Sequence, residues 1–104
     1  MADSTLDGPD IEVVDNPEGG RFEVWSGRTL VGRAVYRTEP GKVVFTHTEV
    51  DPELQGRGIA QMLAARALDE VRASGRQVVP RCPFFASYIR KHPEYEDLVV
   101  TSMA

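Results

Sequence analysis

The hydrophobic pattern changes period once along the chain, at Asp51-Pro52. Before that point it reads as strands. Ile11 to Val14 is a short apolar run, and Asn16-Pro17-Glu18-Gly19-Gly20 is a turn. Arg21 to Trp25 alternates, with Phe22 and Val24 on one face. Ser26-Gly27 reads as a hairpin turn into a strand from Leu30 to Tyr36. Glu39-Pro40-Gly41-Lys42 is a further turn, and Val43 to Val50 is the longest β-branched run. These four segments predict an antiparallel meander. Pro52 then breaks the pattern, because it cannot donate to a ladder and holds Asp51 extended.

After the break the spacing is helical. Ala60, Leu63, Ala64, Ala67, Leu68 and Val71 fall at i, i+3, i+4, i+7, i+8 and i+11, one stripe of a helix. Gly75 suits a left-handed cap at its end. Gln77 to Val79 is a short strand. Pro83 suits the first turn of a second helix that runs to about Lys91 and stops before Pro93. The order is ββββ-α-β-α, with Leu98 to Val100 as an optional last strand. This predicts an α/β (α+β) fold with a mixed, mostly antiparallel sheet and two main helices. Residues 1–10 are polar, with a Gly8-Pro9 breaker, and read as a flexible leader; 11–104 reads as a single domain.

Composition narrows the function classes. The 104 residues are 41% hydrophobic and carry a formal net charge of −4, which gives no bulk attraction to nucleic acid or to an anionic membrane. No Lys/Arg stripe with interleaved aromatics appears either. The charge is uneven. Residues 1–24 hold seven acidic groups and one basic one, whereas residues 53–92 hold seven basic groups and three acidic ones, a balance that suits a polyanionic small ligand. A single cysteine, Cys82, excludes an intrachain disulfide. No secretory signal or membrane-crossing run is visible, so a reducing cytoplasm is expected. His47, Cys82 and His92 lack ligand spacing, so no metal site is expected.

The residues with the clearest chemical meaning lie between the meander and the first helix. Gln55-Gly56-Arg57-Gly58-Ile59-Ala60 occupies a strand-to-helix junction. The first amides of a helix have no internal acceptor, and the helix dipole adds positive potential there. A pyrophosphate can take those donors. Gly56 and Gly58 keep the approach free of side chains, Ala60 keeps the next position small, and Arg57 adds a cation. Gly-Lys-Ser/Thr is missing, and Gln61 stands where a dinucleotide fingerprint needs its third glycine.

Gln55-x-x-Gly58-x-Ala60 resembles the Q/R-x-x-G-x-G/A signature of the GNAT superfamily of N-acetyltransferases. The flanking His47-Thr48-Glu49-Val50, Val79-Pro80-Arg81-Cys82-Pro83-Phe84 and Tyr88-Ile89-Arg90-Lys91-His92-Pro93-Glu94-Tyr95 are similar to a small single-domain branch. The resemblance spans about Ile11 to Val100. It implies acetyl-CoA as cofactor, with pantetheine between Thr46 to Val50 and Gln77 to Val79, and the pyrophosphate on Gln55 to Ala60. Val50, Gln55, Gly56, Arg57, Gly58, Ile59 and Ala60 are then the cofactor-binding set. Two features depart from the family. Only the turn Asn16 to Gly20 stands where typical members carry two acceptor-shaping helices, and His92-Pro93-Glu94-Tyr95 replaces the usual Gly-Phe.

Acetyl transfer to an amine needs a base, a polarised carbonyl and a proton for the leaving thiolate. Along Val43 to Val50 the set Val43, Phe45, His47 and Glu49 shares one face, which places Glu49 or His47 as base near the cofactor end. Tyr88 matches the family tyrosine that serves as acid beside the cofactor sulfur. Cys82 precedes Pro83 and follows Arg81, a setting that favours thiolate and a covalent route, although most family members transfer directly. Each of these side chains also has an ordinary structural reading, as a solvated strand end, a packing aromatic or a buried small hydrophobe. The expected function is N-acetyl transfer to a small-molecule or protein amine by a monomer or weak dimer. The alternative is an acyl-CoA-binding sensor or assembly module with little turnover.

Overall fold

The computed structural model describes residues 11–100. Strands β1 (Ile11–Asn16), β2 (Arg21–Ser26), β3 (Thr29–Glu39) and β4 (Lys42–Val50) are followed by helix α1 (Ile59–Ser74), strand β5 (Gln77–Pro80) and helix α2 (Pro83–Lys91). The sheet order is β1-β2-β3-β4-β5. The first three pairings are antiparallel and the last, β4 with β5, is parallel. The expected order and mixed sheet are therefore present. The second hairpin turns on Gly27 and Arg28, one residue later than Ser26-Gly27, because Gly27 supplies the positive φ of 58°.

The two helices bury their apolar stripes in one core, on the sheet face that carries Phe22, Val24, Ala34, Tyr36 and Phe45. α1 contributes Ile59, Leu63, Ala64, Ala67, Leu68 and Val71, the predicted stripe with Ile59 taking the place of Ala60. α2 contributes Phe85, Tyr88 and Ile89. Phe85 stacks on Phe45 with centroids 4.2 Å apart and planes 10° from parallel. Each such fully buried side chain is worth about 1.5–3 kcal/mol of transfer free energy. This stack also fixes where the start of α2 meets the middle of β4.

After α2 a 3-10 segment, Pro93–Leu98, turns Tyr95 and Leu98 into the core. Leu98 is thus spent on packing. The expected strand at Leu98 to Val100 reduces to one parallel bridge, Val78 to Val99, with the Val100 amide donating to the Val78 carbonyl at 3.0 Å. Among the described residues no helix is long and apolar enough to cross a membrane.

Candidate active site

The site begins where the sheet comes apart. β4 and β5 pair in register from Lys42–Gln77 to Phe45–Pro80 and no further. The Phe45 carbonyl takes the Arg81 and Cys82 amides at 3.0 and 2.9 Å, and the chain then leaves the sheet to begin α2. Residues Thr46 to Val50 of β4 continue without a β5 neighbour. A wedge opens between them and α2.

A bulge decides which β4 side chains look into that wedge. Val35 pairs with His47 but Tyr36 pairs with Phe45, so Thr46 is one extra residue. An extra residue reverses the alternation beyond it. Thr48 and Val50 therefore follow Phe45 onto the core side. His47 and Glu49 turn to the opposite face, across from Val35 and Arg33. This corrects the expectation that Val43, Phe45, His47 and Glu49 share a face.

The far wall of the wedge is the turn into α1. Asp51 accepts the Glu53 amide at 3.0 Å and caps a 3-10 turn, Pro52–Leu54. Gly56 and Gly58 follow at φ 88° and 80°, left-handed values that glycine reaches without strain. A Cβ at either would meet nothing within 4 Å, so the requirement for glycine here is conformational rather than a matter of protein contacts. Gly58 is the N-cap and offers no side chain to cap the helix; the first helical bond runs from the Met62 amide to the Gly58 carbonyl at 2.9 Å. Among the described residues, the amides from Gly56 to Gln61 have no protein acceptor. They are the orphan donors of a helix start, in a setting of positive dipole potential.

These amides border a cavity of about 230 Å³. Gly56, Gly58, Ile59 and Ala60 line one side, Thr48 and Val50 of β4 the other, and Phe84 of α2 closes the end. Gln55 sits at its rim. Of the expected cofactor set, only Arg57 does not line it. Its backbone belongs to the turn, but its side chain is exposed. Thr48, Leu54, Gln61 and Phe84 also line the cavity; the sequence reading has Thr48 only as part of the Thr46 to Val50 pantetheine strand and names none of the four as a binding residue. A second, wider cavity of about 610 Å³ shares Thr48, Val50 and Gln55 with the first and adds Gly32, Arg33, Glu49 and Asp51.

The expected catalytic side chains are not gathered in one place. Glu49 lines the wide cavity, held by Arg33 Nη2 at 2.7 Å and by His47 Nε2 at 2.9 Å. The His47 hydrogen bond, and then the Arg33 charge, lower the Glu49 carboxyl below its usual range. His47 itself lines neither cavity and reaches the wide one through Glu49. Cys82 is the N-cap of α2 and is 3% exposed, with its Sγ 3.2 Å from Thr48 Oγ1. It lies behind the Thr48 wall rather than in the open.

Tyr88 lies one turn beyond Phe84 on α2 and does not line the narrow cavity. Its ring stacks on His92 at 4.0 Å. Burial, with the charges of Glu94 and Asp69, raises its phenol above the usual value, so it stays protonated. Its hydroxyl has no acceptor among the described residues. Among those residues no cluster of metal-ligating side chains occurs.

Sheet and cleft together define the class: an α/β protein whose parallel strand pair splits beside an uncapped helix start. The profile of the GCN5-related N-acetyltransferase family matches residues 21–98. The chain belongs to that family. Solved structures agree on the fold. A protein from Staphylococcus aureus assigned as a GCN5-like N-acetyltransferase superposes with a TM-score of 0.69 at 19% identity, covering 90% of this chain and 92% of its own. The ribosomal-protein-S18-alanine N-acetyltransferase of Escherichia coli gives 0.55 at 15% identity, over 74% of this chain and 45% of its own. A GNAT-family protein from Desulfovibrio desulfuricans gives 0.53 at 20% identity, over 71% and 52%. This chain thus spans about half the length of the latter two. No curated protein matches the chain.

Proposed function

We propose that the chain is an acetyl-CoA-dependent N-acetyltransferase that carries the acetyl group to an amine. The observation that carries this reading is the split between β4 and β5 opening onto the unbonded amides of Gly56 to Gln61. In the proposed complex those amides and the dipole of α1 take the cofactor pyrophosphate. Each charged hydrogen bond there is worth roughly 1.5–3 kcal/mol. The pantetheine arm lies against Thr48, Val50 and Phe84, with its amides free to pair with the unpaired edge of Thr46 to Val50. The acetyl group then lies toward the bulge at Thr46, beyond the Thr48 wall that the narrow and wide cavities share.

Transfer is direct in this reading. The acceptor ammonium loses one proton to the base, its nitrogen forms a bond to the thioester carbon, the C–S bond breaks, the nitrogen sheds its second proton and the leaving thiolate takes one up. Glu49 faces the wide cavity and is the proposed first proton acceptor, with His47 behind it as relay. Its lowered basicity makes it a weak base on its own, so the pair acts together. Tyr88 stays protonated and its hydroxyl is free, which suits the acid, although it does not line the narrow cavity. The burial of Cys82 favours direct attack over an acetyl-cysteine intermediate.

One observation favours the rival, an acyl-CoA-binding module without useful turnover. Between β1 and β2 the chain has only a short turn, with Gly19 and Gly20 bonded back to Asn16 and Pro17, where an acceptor-shaping segment is expected. Thiol release from acetyl-CoA, measured against a panel of amines, decides between them. Amine-dependent release supports the enzyme. Tight CoA binding with no release to any amine supports the module.

A further inference from the structure

The chain has three tyrosines, Tyr36, Tyr88 and Tyr95, and each is buried to the same 8% exposure. Two of them are tied down through the hydroxyl. Tyr36 donates to Asp15 at 2.6 Å and Tyr95 to Asp69 at 2.8 Å. Tyr88 makes no such bond among the described residues. Its hydroxyl still reaches open space, since among those residues no fully buried side-chain oxygen lacks a partner. A buried tyrosine ordinarily finds a partner for its hydroxyl. Tyr88 is the exception, and something other than a hydrogen bond must hold its ring.

That support is His92, one turn further along α2. The two rings lie face to face, with centroids 4.0 Å apart and planes 18° from parallel. The other rings near Tyr88, Phe84 and Tyr95, stand at 6.2 and 6.1 Å and are tilted. The His92 ring is itself fixed. Its Nδ1 is 2.9 Å from the Tyr88 carbonyl, and because a carbonyl only accepts, Nδ1 donates. The His92 amide donates to the Ile89 carbonyl at 3.0 Å, and the His92 carbonyl accepts the Tyr95 amide at 3.0 Å. Pro93 keeps His92 out of helical geometry, at φ −132° and ψ 77°. The residue that ends α2 is therefore also a rigid plate against Tyr88. It opens the stretch His92-Pro93-Glu94-Tyr95 that stands where typical members carry Gly-Phe, and a glycine has no ring to offer.

We infer that His92 is a positioning residue for the acid of the reaction: its ring, locked at the end of α2, holds the Tyr88 phenol by its face and leaves the hydroxyl unbonded. The tethered tyrosines show what the alternative costs. Burial and the bond to Asp69 push Tyr95 up to about 12, so a carboxylate tether retains the proton that an acid must release. A stacked ring fixes the plane of the phenol and takes no proton. Phe84, the ring neighbour of Tyr88, lines the narrow cavity, so the plane of Tyr88 is set beside the proposed cofactor wall. This inference rests on the reading of Tyr88 as the acid, and its test keeps the two apart.

Thiol release from acetyl-CoA is measured with cadaverine, aniline and a lysine-containing peptide blocked at its N-terminus, for Tyr88→Phe, His92→Asn and the double variant. Unfolding midpoints are taken alongside. His92→Asn keeps an amide that can donate to the Tyr88 carbonyl and lacks the ring. It should lower kcat about tenfold, the upper end of what one stacked aromatic pair supplies, and leave KM for acetyl-CoA unchanged. In the Tyr88→Phe background it should change kcat by less than about twofold, because two residues that act through one hydroxyl are not additive. His92→Phe restores a flat ring without the Nδ1 bond and should recover most of the loss. If His92→Asn does not fold, His92→Leu takes its place in the cycle, with the same expected losses. An equal loss in both backgrounds, or a His92→Phe no faster than His92→Asn, overturns the positioning role and leaves Tyr88 as acid. A Tyr88→Phe variant at the wild-type rate overturns the acid, and the inference with it, but keeps the transfer. No release to any of the three acceptors by the wild-type protein overturns the transfer reading on which both depend.

Discussion

The two ends of α1 are built from the same residue in the same conformation and come out opposite. Gly58 opens the helix at φ 80° and Gly75 closes it at φ 78°. At the C-terminal end the Val71 and Arg72 carbonyls find partners. The Gly75 amide donates to the Arg72 carbonyl at 3.1 Å and the Arg76 amide to the Val71 carbonyl at 3.3 Å, and Ser74 Oγ reaches the Val71 carbonyl as well. Arg72 adds two bonds to Asp97, at 2.9 and 3.1 Å, and one to the Glu94 carbonyl at 2.7 Å. Tyr95 donates to Asp69 at 2.8 Å. At the N-terminal end there is no cap side chain, and the amides from Gly56 to Gln61 lack protein partners. Unmade bonds at a helix end cost stability unless water or a ligand takes them. One end of α1 is finished for stability and the other is left open for an anion.

The contrast breaks most sharply at Gly58. Gly58→Glu places a carboxylate where the diphosphate is proposed to sit and strains a left-handed position. CoA affinity by calorimetry should fall by at least about a hundredfold, the loss of two charged hydrogen bonds. Unchanged affinity would remove the turn from the site. Gly75→Ala meets the same backbone strain with open space around its Cβ. It should cost about 1–2 kcal/mol in denaturant unfolding and leave CoA affinity unchanged. A parallel loss of affinity would mean that the two ends are not separable. Tyr95→Phe removes the hydroxyl bonded to Asp69 and should cost about 1 kcal/mol of stability, again without effect on CoA.

The smallest effect is electrostatic. The hydrogen bond and charge of Arg72 hold the exposed Asp97 carboxyl below its ordinary 3.8. A carboxyl lowered in the folded state contributes stability above its unfolded value and loses it as pH falls through the folded value. The difference in unfolding midpoint between wild type and Asp97→Asn should therefore be present at pH 6 and shrink below about pH 3.8. A difference that grows on acidification would reverse the sign of that interaction.

The open end of α1 was legible in the sequence because it depends on backbone. Gly56 and Gly58 mark positive φ, Pro52 marks the break, and the stripe from Ala60 to Val71 marks the helix that follows. The closed end was legible at Gly75 and hidden at Arg72 and Tyr95, whose partners lie more than twenty residues away. The β4 faces were misread for a definite reason. A bulge leaves a trace only where apolar residues change parity, and Thr46-His47-Thr48-Glu49 is polar throughout. The reading therefore put the strand Thr46 to Val50 beside the cofactor without distinguishing Thr48 within it, and set His47 and Glu49 on the wrong side. Likewise Phe84, Phe85 and Tyr88 form one aromatic run, and pattern alone does not tell which ring faces the cavity and which stack in the core.

The most direct test is an amide NMR titration of the full chain with CoA. The largest shifts should fall on the amides of Gly56 to Gln61 and on Thr48 and Val50, with Gly75 and Arg76 unmoved. If CoA binds while the amides from Gly56 to Gln61 stay in place, or if the largest shifts fall at the Gly75 end, the open helix start is not the anion site.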